Sequence, residues 1–463
     1  METSDYSYKF KTIAEDLNDY IKVINDEKSL TKFLLYKAKE KKLQVLLINN
    51  CYYIKNNKAK AILHLNIGDS IKDSSYISVD DKLRLDTNLD SLEVSSLILL
   101  TMLLEDGVDS FDILLTNNYI NSYDTDFSIL RSYIRSNNII NLNLNEPDCI
   151  AESFASYTLS STDLNIERSD VDEESLLNEN SIFRIKLTNL LGKHTAIDVN
   201  FILKNAIKML MTFVRKLKSK VDLDLIDFEG GAYHNSIPTD AYVDIMVKKE
   251  FESDLKNVFD LYVSQYLASN LRLEPNLKFE IKKINKARYY PMTDDSYARI
   301  SSFIELAING TYSVDSKTNT AISSCILSKA RTYFDRLNLI IIFRSLSKDN
   351  LKEMKNKTEL AAKINGSSLK EKLSIPSWQN KSDYLTNIFS KSYDKLFKSR
   401  LKIIKTQNSL DCNLIFYKFN VNMVSLGVKY KQVDLDKSTF DYQDLFNTFS
   451  LIKEVLINLD KSN

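Results

Sequence analysis

Glycine is the residue that this 463-residue sequence lacks most: it has eight, where average usage would give about 32. Because glycine alone adopts left-handed backbone angles at little cost, few tight turns and few backbone cradles for phosphate can form. Neither a Walker A loop nor a G-x-G-x-x-G fingerprint occurs. The glycine-dependent classes of nucleotide-binding site are therefore excluded.

Histidine and cysteine are also scarce. The sequence contains His64, His194 and His234, and Cys51, Cys149, Cys325 and Cys412. No C-x-x-C or H-x-x-x-H spacing occurs, which excludes zinc fingers and helical zinc-protease motifs. Isolated cysteines in a chain of this length favour reduced, buried side chains of an intracellular protein.

Neither an excess of charge nor a long apolar run is present. The 62 basic residues balance the 62 acidic residues, so net charge predicts no non-specific binding to nucleic acid or to an anionic membrane. The longest apolar run, around 339–343, is far shorter than the roughly 20 residues that span a bilayer. The first residues contain acids and no apolar core typical of a signal peptide. We therefore expect a cytoplasmic protein without a membrane partner.

The apolar content of 44% and the chain length predict two or three domains with real cores. Up to about residue 168, predicted strands such as AILHLNIG and DILLTNN alternate with predicted helices such as LEVSSLILLTMLLED. This alternation indicates an α/β sheet with helices on its faces. A polar, acidic stretch at 169–180 suggests a first domain junction, and a second lies near 375–378.

Four segments, taken in order, match known motifs. LGKHTAIDV at 191–199 is similar to G-G-H-S-G-V-D, and FEGGAYHNSIPTDA at 228–241 to G-G-x-x-R-N-A-I-P-R-E-A. The strand LNLIIIFRSL followed by IPSW at 375–378 resembles a segment ending Y-P-G-W, and SLDC at 409–412 resembles G-L-E-C. By these motifs the sequence resembles the M20 metallopeptidases, and within that family the aminoacyl-histidine (Xaa-His) dipeptidases. The resemblance implies a zinc-aminopeptidase-like α/β/α sandwich domain interrupted by an inserted α+β lid domain. We place the sandwich at 1–182 and 384–463 and the lid at 183–383.

The resemblance also implies two zinc ions that activate a water, yet most of the residues that would hold them are replaced. The histidine of the family's H-x-D motif remains as His64, but its carboxylate partner is an amide. A threonine takes the place of the bridging aspartate, for which Asp86 or Asp90 could substitute, and the paired glutamates fall in a segment without any acid. The degenerate positions are Asn66, Thr87, Asn117, Asn118, Tyr119, Ile120, Asn143 and Asp434. We predict no metal site and no cofactor.

The remaining cleft would consist of His64, His194, His234, Asn235 and Asp411. We interpret His64 as a buried, hydrogen-bonded remnant, and His194 as a residue of lid packing. His234 stands where the family has an arginine that clamps a carboxylate.

These observations predict a catalytically inactive homologue of a cytosolic Xaa-His dipeptidase, a pseudoenzyme retained as a homodimeric structural or partner-binding protein whose protein or macromolecular partner is unknown. Two alternatives stay open: an active dipeptidase with a remodelled site, and a peptide-binding sensor that uses the old cleft.

A helix predicted at 199–220 carries more apolar side chains than packing on one face requires. Since a lid of this family dimerises through a helix and an edge strand, the excess predicts a homodimer interface; burial on two sides within one chain is the alternative. The predicted interface residues are Phe201, Ile202, Met209, Leu210 and Phe213.

Overall fold

Two structural units divide the chain. The first, here the sandwich unit, comprises 1–154, 378–405 and 410–463, and the second, here the inserted unit, comprises 155–377 and 406–409. The computed structural model describes residues 3–26, 28–48, 51–56, 58–68, 71, 74–116, 128–144, 149–169, 178–192, 204–408, 411–416, 419, 421–434 and 437–461.

The domain boundaries lie elsewhere than the sequence predicted. The inserted unit begins at residue 155 rather than 183 and ends its main segment at residue 377 rather than 383. The reason is a strand, Ser156–Asn165, that pairs with Arg336–Ser345 and Lys370–Ile375 in the sheet of the inserted unit. The polar stretch at 169–180 therefore lies within this unit and is not a junction between units.

The sandwich unit is built on a mixed sheet whose centre is parallel. Numbered in chain order, its strands are β1 (Gln44–Ile48), β2 (Cys51–Lys55), β3 (Ala61–Asn66), β6 (Phe111–Thr116), β7 (Asn138–Asn141), β8 (Cys149–Phe154), β18 (Trp378–Gln379), β19 (Lys402–Thr406) and β20 (Asn422–Ser425). The order is β1-β2-β6-β3-β7-β20-β8-β18, with β19 paired to β8. Strand β3 is parallel to β6 and β7, and β20 is parallel to β7. The carboxyl ends of these four strands consequently meet at one edge of the sheet.

Helices cover both faces of this sheet. They are α1 (Thr3–Ile24), α2 (Ser29–Glu40), α3 (Ser91–Glu105), α4 (Ser128–Tyr133), α9 (Tyr384–Phe397), α10 (Asp411–Phe416) and α11 (Tyr442–Lys461). Helices α1, α2, α3, α9 and α11 share one apolar core, and side chains of α4 and α10 belong to a second core. Helix α3 is apolar on almost every side because it is buried almost throughout.

A small second sheet also belongs to the sandwich unit. Its strands are β4 (Ile77–Val79), β5 (Arg84–Thr87), β21 (Lys431–Asp434) and β22 (Lys437–Asp441), in the order β21-β22-β5-β4.

In its described residues, the inserted unit contains one antiparallel sheet and four α-helices that share a single core with it. The strands are β9 (Ser156–Asn165), β10 (Asn180–Thr188), β11 (Leu223–Gly230), β12 (Ala241–Lys248), β13 (Lys278–Ile284), β14 (Gly310–Val314), β15 (Ala321–Thr332), β16 (Arg336–Ser345) and β17 (Lys370–Ile375). The helices are α5 (Ala206–Lys218), α6 (Glu252–Asn270), α7 (Asp294–Leu306) and α8 (Lys348–Ile364). The strand order is β13-β10-β12-β11-β15-β16-β9-β17, with β14 paired to β15.

Helix α5 corrects the predicted dimer interface. It starts after the N-cap Asn205, whose side chain accepts two backbone N–H groups of the first turn. Met209, Leu210 and Phe213 are buried in the core of the inserted unit, and the Phe213 ring contacts aromatic rings of α6 and β13 at centroid distances of 4.7 to 5.6 Å. The excess apolar surface is thus buried by neighbours in the same unit. Phe201 and Ile202 lie outside the described residues.

Cys51, Cys149 and Cys325 are buried thiols without a disulfide. In the described part of the chain, none of the helices combines the length and the apolar character that crossing a bilayer requires.

Candidate functional site

The parallel strands place five polar side chains together at the carboxyl edge of the sandwich sheet. His64 lies on β3 opposite Asn141 of β7, and Asn141 lies opposite Ser425 of β20. Thr116, the last residue of β6, lies opposite Asn66, the last residue of β3. Ligand sites of α/β sheets form at this edge, so the strand topology itself gathers these residues.

Both ring nitrogens of His64 are bonded within the protein. The amide nitrogen of Asn141 lies 2.8 Å from Nδ1, and the hydroxyl oxygen of Thr116 lies 3.0 Å from Nε2. An amide nitrogen can only donate, so Nδ1 is the acceptor and the ring proton sits on Nε2. That proton is donated to Thr116, whose own hydroxyl is donated to Asn66 Oδ1 at 3.2 Å.

The three asparagines complete the network. Asn143 Oδ1 accepts the backbone N–H of Asn66 at 2.7 Å, and Asn143 Nδ2 donates to the Asn66 carbonyl at 2.9 Å. Asn141 Oδ1 accepts the hydroxyl of Ser425 and the backbone N–H of Asn143. His64, Asn141 and Ser425 are each 0% exposed. We call His64, Asn66, Thr116, Asn141, Asn143 and Ser425 the amide network.

The amide network has a donor set that does not fit zinc. Zinc in proteins is bound by thiolate, imidazole and carboxylate groups, whereas this network offers amides, hydroxyls and one imidazole whose nitrogens already have partners. Across the described residues, no cluster of three or more histidine, cysteine, aspartate or glutamate side chains could hold a metal ion. The network contains no carboxylate to serve as a general base. Its hydrogen bonds hold the side chains of the network to one another.

The position predicted for the bridging aspartate has a structural role. The Thr87 hydroxyl donates to the Tyr76 carbonyl at 2.8 Å and accepts the backbone N–H of Leu89 at 3.0 Å. Asp90, one possible substitute, is the N-cap of α3. Asp86, the other, is an exposed residue of β5 opposite Thr439. Neither aspartate is a member of the amide network.

Several predicted site residues lie outside the described residues, and for two others the structure describes only their place in a strand or helix. Asn117, Asn118, Tyr119, Ile120 and His194 lie outside the described residues. Asp434 ends β21 opposite Lys437, and Asp411 begins α10.

His234 and Asn235 lie between β11 and β12 of the inserted unit. His234 is exposed, and the buried Oδ1 of Asn235 has no hydrogen-bond partner among the described residues. The preceding turn depends on Gly231, whose φ is +75°. Any other residue at this position would also place its β-carbon 2.1 Å from the Ser328 carbonyl oxygen. This crowding explains why a glycine-poor chain keeps a glycine here.

Sequence reasoning missed three participants of the network, Thr116, Asn141 and Ser425, and one buried cation. Asn141 is the first residue of Asn141–Leu142–Asn143. The alternation of polar and apolar residues in this run, at the end of a strand, was the signal that could have identified it. Ser425 becomes apparent only when β20 pairs with β7. In the inserted unit, Arg344 is 4% exposed, donates to the Gln407 carbonyl at 3.2 Å and lies 4.7 Å from the Tyr157 ring centroid. Burial lowers the pKa of Arg344 to about 10.

Comparisons with known proteins agree with this architecture. The family model described as the peptidase dimerisation domain of M20 peptidases matches residues 201–268. The cytosol non-specific dipeptidase of Escherichia coli (strain K12) is 22% identical over 321 residues, which cover 68% of this chain and 64% of that protein's length. The crystal structure of aminoacylhistidine dipeptidase from Vibrio alginolyticus has a TM-score of 0.71 and 16% identity, covering 98% of this chain and 96% of that chain.

The predicted fold class, a sandwich domain interrupted by an inserted α+β domain, is confirmed by this likeness. The identities are low, and they establish the fold rather than the activity. The chain is therefore similar in sequence to the dimerisation domain of M20 peptidases and to a cytosol non-specific dipeptidase, and similar in fold to an aminoacylhistidine dipeptidase.

Proposed function

We propose that this protein is a catalytically inactive, metal-free homologue of an M20 dipeptidase, retained in the cytoplasm as a homodimeric structural or partner-binding protein. The observation that carries the proposal is the amide network: where the resemblance implies charged zinc ligands, the strands hold a closed set of neutral side chains.

Charge compensation is the physical reason. Two divalent zinc ions bring four positive charges into a site, and carboxylates normally balance them. The amide network offers no formal negative charge, and a buried charge without a partner costs many kcal/mol. Binding zinc at His64 would also break the hydrogen bonds to Asn141 or Thr116. The amide network, without zinc and without a carboxylate base of its own, offers no group that would activate a water.

The test measures metal and activity on the same purified protein. We expect elemental analysis to find far less than one zinc per chain after dialysis against zinc, and no hydrolysis of an Xaa-His dipeptide. The variant Asn66→Asp/Asn143→Asp returns two carboxylates to the network, and we expect it to bind more zinc than the natural sequence. Stoichiometric zinc in the natural protein with chelator-sensitive hydrolysis would contradict the proposal and favour the enzyme with a remodelled site.

Self-association is proposed through α6 and β13. The match to a peptidase dimerisation domain ends at residue 268, within α6. This helix buries only Leu255, Phe259 and Asn270, while Leu261 is 55% exposed. Strand β13 ends its sheet and pairs with β10 alone among the described strands. A twofold interface of standard size, about 800 Å² per partner, would cover this helix and edge.

The oligomer test has a matched control. We expect the natural protein to give a dimer mass by light scattering at micromolar concentration, and Leu261→Glu to give a monomer mass. Leu360 on α8 is 58% exposed, so Leu360→Glu places the same charge on an equally exposed apolar site and should leave the dimer intact. A monomeric natural protein, or a dimer that tolerates Leu261→Glu, would reject this interface.

A further inference from the structure

The inserted unit contains a cavity of about 360 Å³ on the face of its sheet opposite the helices. Its lining includes Tyr289, Tyr290, Phe334 and Arg288. None of the degenerate positions and none of the predicted cleft residues lines it. The size lies within the range of small-molecule sites.

An apolar floor is formed by three neighbouring strands. Ile182 of β10 lies directly opposite Met246 of β12, and both line the cavity. Ile226 of β11 is the extra residue of a β-bulge between Leu225 and Asp227, and it too lines the cavity. Leu225 packs in the core of the inserted unit and side chains alternate along a strand, so Ile226 faces the outer side of the sheet beside the other two.

The aromatic walls are held in place by one guanidinium. Arg168 donates to the carbonyl oxygens of Phe334 at 2.7 Å, of Ile226 at 3.0 Å and of Tyr333 at 3.2 Å, and also to that of Tyr290. Its guanidinium carbon lies 4.5 Å from the Tyr289 ring centroid. Arg168 thereby ties a strand, a loop and a hairpin turn together, so the cavity is formed before any ligand arrives.

The rim of the cavity is cationic. Lys286 and Arg288 lie on the same loop as the tyrosines, and both line the cavity. Lys286 has no ion-pair partner among the described residues. Arg288 has one long ion-pair contact, 3.4 Å, with Glu229, and its guanidinium carbon lies 5.1 Å from the Tyr289 ring centroid. A carboxylate could therefore pair with either cation at the edge of an apolar, aromatic pocket.

We propose that this cavity binds a small ligand composed of one aromatic ring system and one carboxylate. The ring system would lie on the floor of Ile182, Ile226 and Met246, against Tyr289 and Phe334. The carboxylate would face Lys286 and Arg288. The proposal does not depend on the loss of the metal site, because every residue in it belongs to the inserted unit.

Two fluorescent probes separate the two halves of the recognition. Dansylglycine carries an aromatic system and a carboxylate, and dansylamide carries the same aromatic system without the charge. We expect saturable one-to-one binding of dansylglycine, with an affinity about three to five times that for dansylamide. Arg288→Gln should reduce dansylglycine to the level of dansylamide and leave dansylamide unchanged. Phe334→Ala, at a 65% exposed position, should weaken both probes by about three- to tenfold.

Arg215→Gln is the matched control. Arg215 and Arg288 have side chains that are 52% and 50% exposed, and each pairs with one glutamate, at 3.6 and 3.4 Å. Binding in this control should equal that of the natural protein. Absence of saturable binding, equal affinity for the two probes, or equal losses in Arg215→Gln and Arg288→Gln would overturn the proposal.

Discussion

Replacing Thr116 by valine removes one hydroxyl from the amide network and almost no volume. The side chain is 1% exposed, so the substitution alters bonding in a dry site. The hydroxyl accepts the His64 Nε2 proton at 3.0 Å and donates to Asn66 Oδ1 at 3.2 Å. After the change, the hydrogen bond from His64 Nε2 and the hydrogen bond to Asn66 Oδ1 are both lost.

The expected cost follows from these two lost hydrogen bonds. One hydrogen bond contributes about 0.5–1.5 kcal/mol net, so two contribute about 1–3 kcal/mol. Asn66 is half-buried and can recover part of its loss from water. We therefore expect Thr116→Val to lower the free energy of unfolding of the sandwich unit by about 2 kcal/mol.

Tryptophan fluorescence measures this unit separately. The single tryptophan, Trp378, is buried in the sandwich unit, so its emission during urea denaturation reports that unit. With a slope of about 2–3 kcal/mol per molar urea, the loss shifts the midpoint down by roughly 0.7–1 M. Thr101→Val is the control: Thr101 is 0% exposed on α3, and its hydroxyl donates to the Leu97 carbonyl, so this substitution removes one hydrogen bond instead of two.

The comparison of the two valine variants tests whether the network holds the His64 Nε2–H donor. If Thr116→Val costs no more than Thr101→Val, the His64 donor is not held by the network as the distances indicate. The account of His64 as a closed neutral site would then fail.

Two further predictions concern an ion pair and a glycine. Burial acts to raise the pKa of Asp106, but the hydrogen bonds from Lys453 and Tyr6 and the charges of Lys453 and Lys9 together outweigh it and lower the pKa. A lowered pKa stabilises the fold above the ordinary carboxyl range and ceases to do so as the pH falls through the folded value. Asp106→Asn should therefore destabilise the protein by about 1–3 kcal/mol at pH 7, and urea titrations should show this difference shrinking below about pH 4; a difference that stays constant to pH 2 would contradict it. Gly231→Ala should lower the free energy of unfolding, measured by thermal unfolding, by at least about 3 kcal/mol, because the added β-carbon meets the Ser328 carbonyl. Gly366→Ala is the control: it has a similar φ of +72° but no atom within 4 Å of the added β-carbon, and it should cost about 1 kcal/mol. Equal costs for the two variants would refute the crowding argument.

The sequence allowed the alternating core of the sandwich unit to be predicted, but not its boundary. Strand β3 and helix α3 have apolar patterns that identify them. Strand β9 buries hydroxyl side chains instead, among them Thr158, Ser160 and Thr162, and no apolar alternation marks it. Its burial comes from β16 and β17, which lie far along the chain, so local pattern could not reveal it.

The lost metal ligands of the candidate site could be predicted from the sequence, but the hydrogen-bond network that replaces them could not. Replacement of carboxylates by Asn66 and Asn143 can be seen in the sequence once the family motif is recognised. That these amides bond to each other, and that Ser425 joins through Asn141, depends on strand register. Similarly, the apolar surface of α5 was apparent, but the neighbours that bury Phe213 come from α6 and β13.

The split of the sandwich unit has a consequence for the order of folding. Strand β20 lies between β7 and β8, yet it is encoded roughly 280 residues after β7. At about 5–20 residues per second, a ribosome needs roughly 15–60 s to make that interval, during which β7 and β8 each expose an unpaired strand edge. The main segment of the inserted unit, 155–377, is complete before β20 exists and can fold first. The nascent sandwich unit is thus the aggregation-sensitive part of the molecule, and truncation before residue 422 would make that exposure permanent.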